Sequence, residues 1–251
     1  MKSITMLAAL IGLAWCPPQD PPAGPKEEIF AAARKLAEQD TYAWSLEIDR
    51  RDVAKVSPGA SQPILPMIVS IAGRSAKSGF VILKQTRMAN VQAVSAILKG
   101  TRAVLETMDG WKLSGDLDPE KDVNARFFAG VLPYYPAPTE EVKTLLEGVR
   151  ELKEGPDGGR VGELSEAAAR TQVERTLKGG GRKDPPEIKE PRGTVRFWIQ
   201  DGLILKYDIA TQAKVTVNDV EIVLKRTLTV KVKDVNTTPV PVPEEASKIL
   251  R

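Results

Sequence analysis

Histidine is absent from all 251 residues, and cysteine occurs once, at position 16. The first absence excludes Ser-His-Asp and Cys-His catalysis, histidine-zinc sites and imidazole acid–base work together. The second excludes an intramolecular disulfide. An excess of one charge is also lacking: 36 Lys and Arg stand against 33 Asp and Glu, a net +3 that falls to +2 without Lys2. So even a balance argues against binding nucleic acid by counter-ion release, and no nucleic-acid partner is expected. The basic pairs Arg50-Arg51, Arg182-Lys183 and Lys225-Arg226 read as solvated ends and faces rather than a phosphate groove. No run is long enough to span a bilayer, the apolar stretch from Ile4 to Trp15 included.

That stretch, preceded by Lys2, reads instead as an export signal over residues 1–15. Cys16 is a candidate lipid anchor: Leu13 and Ala14 suit such a signal, while Trp15 stands where a small residue is usual. A proline-rich linker covers residues 16–25. Residues 26–251 read as one domain, since no long flexible linker interrupts them. The 27% of charged residues in the whole chain is typical of a soluble fold, and the length supports a core without staples.

What is present is alternation. Gly193 to Pro243 reads as a continuous antiparallel meander. Asp201-Gly202 between Thr194–Gln200 and Leu203–Ile209 is a hairpin signal. A three-residue loop with a bulged glycine pairs Phe197 with Leu205 and Val195 with Tyr207, and it is preferred because it separates apolar from charged side chains. The same reasoning at Met108-Asp109-Gly110 pairs Leu105 with Leu113 and Glu106 with Lys112. At Asn218-Asp219 a two-residue loop pairs Val217 with Val220. Beyond it Ile222, Leu224, Leu228, Val230 and Val232 share a face that Arg226 interrupts.

Upstream, Pro25 to Gln39 reads as a helix with the stripe Ile29, Ala32, Ala33, Leu36 and Ala37. Tyr42, Trp44, Leu46 and Ile48 alternate as a half-buried strand. Further strands are expected at Met67–Ile71, Gly79–Thr86, Val91–Leu98 and Arg102–Thr107. A helix capped by Asp118 should run to Val131, a second from Thr139 to Leu146, and a third from Ser165 to Leu177, after a hairpin around Gly155–Gly159. The expected fold is α+β: a curved antiparallel sheet, an open half-barrel, wrapped around the N-terminal helix with additional helices covering the opening.

The early helix, Tyr42-Ala43-Trp44-Ser45-Leu46, Gly110-Trp111, Gly193–Ile199, Asp201–Tyr207 and the ending Val242-Pro243-Glu244-Glu245-Ala246 together resemble the lipoprotein-carrier fold of the bacterial envelope. That group includes LolA and the mycobacterial lipoproteins LppX and LprG. The resemblance covers most of the exported part and is one of pattern, with the segment Asp116–Lys189 longer than in the carriers. It implies a concavity that holds acyl chains or lipids beneath helical lids, in the periplasm or on a membrane-anchored lipoprotein, with a hydrophobic ligand or a lipoprotein acyl chain as partner.

The candidate walls of such a concavity are Tyr42, Trp44, Leu46, Ile48, Leu105, Phe197, Leu205 and Tyr207. The same inward positions also read as plain core, and both readings hold if the core encloses a ligand. No metal, cofactor or catalytic residue is expected. Asp116, Asp118, Glu120 and Asp122 alternate like a calcium loop, but Lys121 stands at the glycine position and Phe127 at that of the bidentate glutamate. A reversible, non-enzymatic binder of an apolar ligand, acting as a monomer, is the favoured function. An envelope adaptor whose cavity is filled by its own side chains comes next, and a carboxylate-based hydrolase third.

Overall fold

The computed structural model describes residues 24–54, 70–86, 93–179, 183–217 and 220–251. The expected export signal and the Cys16 anchor lie outside these residues, as do Asn218 and Asp219.

Helix α1 (Pro25–Ala37) starts with proline at its first turn, where a missing N–H costs nothing, and carries Glu27 and Glu28 at the positive end of its dipole. Ile29, Ala32, Ala33 and Leu36 form its buried stripe. The N-terminal strands follow: β1 (Thr41–Arg50), the short β2 (Val53–Ala54), β3 (Ser70–Ala76), β4 (Phe80–Thr86), β5 (Val94–Lys99), β6 (Arg102–Thr107) and β7 (Gly110–Leu113). The helical middle consists of α2 (Val123–Val131), a single 3-10 turn (Leu132–Tyr134) and α3 (Pro138–Gly148). After it come β8 (Val149–Glu154), β9 (Arg160–Leu164) and α4 (Glu166–Gly179). Three long strands, β10 (Ile188–Gln200), β11 (Leu203–Val217) and β12 (Val220–Lys233), precede the terminal α5 (Glu244–Ile249).

All pairings are antiparallel, in the order β7-β6-β5-β4-β3-β1-β12-β11-β10-β9-β8, with β2 attached to β12. The expected α+β architecture, an open half-barrel around the first helix, is what the chain forms. Strands β7 and β8 are its edges. The α2–α3 segment joins them in sequence, with α2 packed on β5 and β6 and α3 on α1 and α4. The two halves of the sheet meet along one seam, β1 against β12, where Trp44 faces Val232 and Ile48 faces Leu228.

Inside the curve, α1 packs on α3 and on β10 and β11. One cluster joins Ile29, Leu36, Trp44, Leu46, Leu105, Phe128, Leu145, Phe197, Tyr207 and Val230. Each side chain of leucine size buried there contributes about 1.5–3 kcal/mol. A second cluster sets Val173 and Leu177 of α4 on Ala213, Val215, Ile222 and Leu224.

Two expected registers are corrected. At the β10–β11 turn Asp201 and Gly202 both have positive φ, 54° and 71°, which is the geometry of a two-residue primed turn. Gln200 therefore pairs with Leu203 and Ile199 with Ile204. A bulge one step further on restores the partition of faces, so that Phe197 meets Tyr207 and Val195 meets Ile209. At the β6–β7 turn Thr107 pairs with Gly110, Leu105 with Lys112 and Val104 with Leu113. Trp111 and Leu113 accordingly turn to the outer face, where Ala246 of α5 and Leu250 just after it cover them with Ile97 and Val104. An apolar side chain on this strand did not have to mean the concave side. The Asn218-Asp219 hairpin has its expected register, Val217 with Val220.

The first middle helix also starts later than expected. Asp118 accepts hydrogen bonds from the backbone N–H of Glu120 and Lys121 (2.8 and 2.9 Å), closing a turn, and α2 begins at Val123.

Candidate functional site on the concave face

Seven of the eight candidate wall residues come together on the inner face: Tyr42, Trp44, Leu46, Ile48, Leu105, Phe197 and Tyr207 are all buried in the main cluster. Leu205 does not join them. It is the extra residue of the β11 bulge and stands 44% exposed, because the displaced bulge turns it away and leaves Ile204 and Tyr207 inward. That candidate is corrected.

The geometry of the wall follows from its neighbours. Trp44 lies flat across Gly73 of β3, where a Cβ would come within 2.0 Å of Cε2, so only glycine admits the indole. Its Nε1 donates to Ser75 Oγ at 3.2 Å. Phe197 and Tyr207 face each other with ring centres 6.0 Å apart, tilted by 36°. Burial pushes the Tyr42 hydroxyl above its ordinary range, partly offset by hydrogen bonds with Ser75 and Thr139.

A polar knot lies beneath the helices. Tyr207 donates its hydroxyl to Glu141 Oε2 of α3 at 2.6 Å, and Arg175 of α4 pairs with the other carboxylate oxygen. Burial raises the Tyr207 hydroxyl far above the phenol range and pushes Tyr135 up to about 12, while it lowers Arg175. Glu141 was missed from the sequence although a signal existed: it shares a helical face with Pro138, Val142 and Leu145. Arg226, the interruption on the β12 face, is buried against Asp52, with Nη2 3.1 Å from Oδ2. Gln85 on β4 is buried with neither amide atom hydrogen-bonded.

Chemically this face can hold apolar surface and little else. Among the described residues the buried carboxylates of the two ion pairs are already engaged, Glu141 by Tyr207 and Arg175 and Asp52 by Arg50 and Arg226. Side chains of α1, α2 and α3 fill the space the sheet curves around, with Ile29, Leu36, Phe128 and Val142 fully buried. Four hollows among the described residues lie elsewhere. Two, of about 860 and 610 Å³, lie on the outer face, one of about 240 Å³ beside the start of α2, and one of about 330 Å³ beside Phe30. Of the seven inward candidates only Trp44 touches any of them.

No protein-family model matches the chain, and no curated protein does. Among solved structures, LprF from Mycobacterium bovis superposes with a TM-score of 0.42 at 10% identity, over 87% of this chain and 95% of its own. A LolA superfamily protein from Nitrosomonas europaea superposes with a TM-score of 0.30 at 11% identity, over 91% of this chain and 98% of its own. At such identity and superposition they lend no weight to any residue's role.

Proposed function

We propose that this protein is a non-enzymatic binder of an apolar chain, lipid or acyl, taken up between the inner face of the sheet and the α2–α3 crossover. The observation that carries the reading is that β7 and β8 are left as the two edges of the sheet among the described residues, joined in sequence by the α2–α3 segment. A second sheet closing there would be held by a ladder of backbone hydrogen bonds, whereas helices held by side chains can lift. Because buried side chains of α1, α2 and α3 occupy the space inside the curve, uptake requires α2 and α3 to move outward, and Tyr42, Trp44, Leu46, Ile48, Leu105, Phe197 and Tyr207 are the surface they would uncover. Affinity then comes from buried apolar area at about 25 cal/mol per Å², less the packing given up when the helices leave. Export, anchoring through Cys16 and a monomeric state belong to the same reading.

The filled interior favours a second reading, an adaptor or structural module that binds through its surface. Two measurements separate them. Native mass spectrometry of the purified full chain should find co-purifying lipid, and the delipidated protein should bind a fluorescent fatty acid in a saturable way. A lipid-free protein that ignores the fatty acid is the adaptor.

A further inference from the structure

The larger outer hollow brings together cations that lie far apart in the sequence. It sits on the sheet face turned away from α1, across β1, β12, β11, β10 and β9, where the register lays two rows side by side. One row is Asp49, Thr227, Ala210, Thr194 and Glu163, acidic at its ends and small in the middle. The other is Arg51, Lys225, Gln212 and Arg192: the N–H of Arg51 bonds the Lys225 carbonyl at 2.8 Å, and Gln212 pairs with both Lys225 and Arg192. The small middle of the first row makes the dip, and the second row forms a cationic bank along it. Arg150, from the edge strand β8, lines the same hollow.

Like charges on adjacent strands repel, so such a row costs stability unless something offsets it. Nearby arginines are already served by carboxylates. Asp52 takes Arg50 and Arg226 at 2.5 and 3.1 Å, and Asp49 takes Arg51 at 3.0 Å. Elsewhere on this face Lys206, Lys214 and Arg196 each have an acidic partner. Among the described residues, Arg150, Arg192 and Lys225 make no side-chain hydrogen bond or ion pair. Three cations without a partner among the described residues, two of them with guanidinium forks, therefore line one hollow of about 860 Å³, together with Thr194 and Thr227 and with Asp49, Glu163 and Glu166 at its margin.

We propose that this groove binds a phosphate-bearing anionic ligand along the bank formed by Lys225 and Arg192, with Arg150 reaching it from the β8 end. The hollow is polar and lies on the opposite side of the sheet from the apolar wall, so it is a separate site and does not depend on any acyl chain. The phosphate could belong to a soluble molecule or to a lipid headgroup.

The test uses the full chain at low ionic strength, titrated calorimetrically with inorganic pyrophosphate. Saturable binding should appear, weaken as salt is raised, and weaken at least about tenfold in the Arg192→Glu/Lys225→Glu double variant. All three side chains are surface groups without partners, so the urea midpoint of that variant should match the parent. Lys84→Glu/Lys233→Glu, in the smaller outer hollow, is the control and should bind pyrophosphate like the parent. Flotation with phosphatidylglycerol vesicles, competed by pyrophosphate and lost in the same double variant, would assign a headgroup. Binding to pyrophosphate alone would assign a soluble ligand. No saturable binding to either probe, or equal loss in both double variants, overturns the proposal.

Discussion

Replacing Gly73 by alanine is the sharpest test of how the inner wall is built. A Cβ at this position would stand 2.0, 2.4 and 2.5 Å from Cε2, Cζ2 and Nε1 of Trp44, where carbon contacts settle near 3.5–4 Å. Trp44 is 2% exposed and cannot swing into solvent. It must instead push into the packed helices and leave Ser75, to which it donates. Overpacking a core costs about 1–3 kcal/mol and the lost hydrogen bond about 0.5–1.5, so about 2–4 kcal/mol is expected together. In a domain of this size that corresponds to a melting point lower by about 4–16 °C. Thermal unfolding followed by circular dichroism measures it, with Gly130→Ala as control. Gly130 has nothing within 4 Å of its would-be Cβ and sits in α2, so alanine there should be neutral or stabilising by up to about 1 kcal/mol. Trp44→Phe added to Gly73→Ala should recover part of the loss, because the smaller ring vacates the contested volume. A Gly73→Ala protein that melts with the parent would refute the packing of the indole over β3.

Three further outcomes are expected. Glu141→Leu strands Arg175 in the interior and should cost about 3–5 kcal/mol in urea unfolding, whereas Glu141→Leu with Arg175→Met should regain most of it. Gly202→Ala forces a left-handed backbone at φ 71° and should cost about 1–2 kcal/mol by the same measurement. Asp122 is held below its ordinary pKa first by the Asp118 N–H and then by Lys112, and Asp118 is held low by the N–H groups of Lys121 and Glu120. Depressed carboxylates stabilise above their unfolded value, about 3.9, and the contribution disappears as pH falls through the folded value. The urea midpoint should therefore drop below about pH 4, and drop less in Asp122→Asn.

Strand and helix order was legible because period-two alternation from Tyr42 to Ile48 and along β12 leaves few alternatives. Register was harder. At Asp201-Gly202 a bulged loop and a tight turn followed by a bulge both place Phe197 inward, and only their partners and the side taken by Leu205 differ. On β7 the unseen factor was α5, which supplies apolar cover to the outer face and so makes Trp111 and Leu113 point the other way. Glu141 was hidden by habit, since an acidic residue in a first turn is usually solvated. Nor can alternation tell a hollow from a plug: Trp44 and Phe197 point inward whether α1 and α3 fill the space or leave it, and the volume of three helices is not written in any one strand.

The seam between β1 and β12 has a consequence for biogenesis. The amino-terminal meander acquires its inner neighbour only when the last long strand has been made, so the ladder of β1 stays incomplete until Val220–Lys233 is available. Assembly of the central ladder must wait for β12 and is governed by a distant pairing, which is slow by nature. Until then both halves present bare strand margins, and truncation before Val220 would make that exposure permanent.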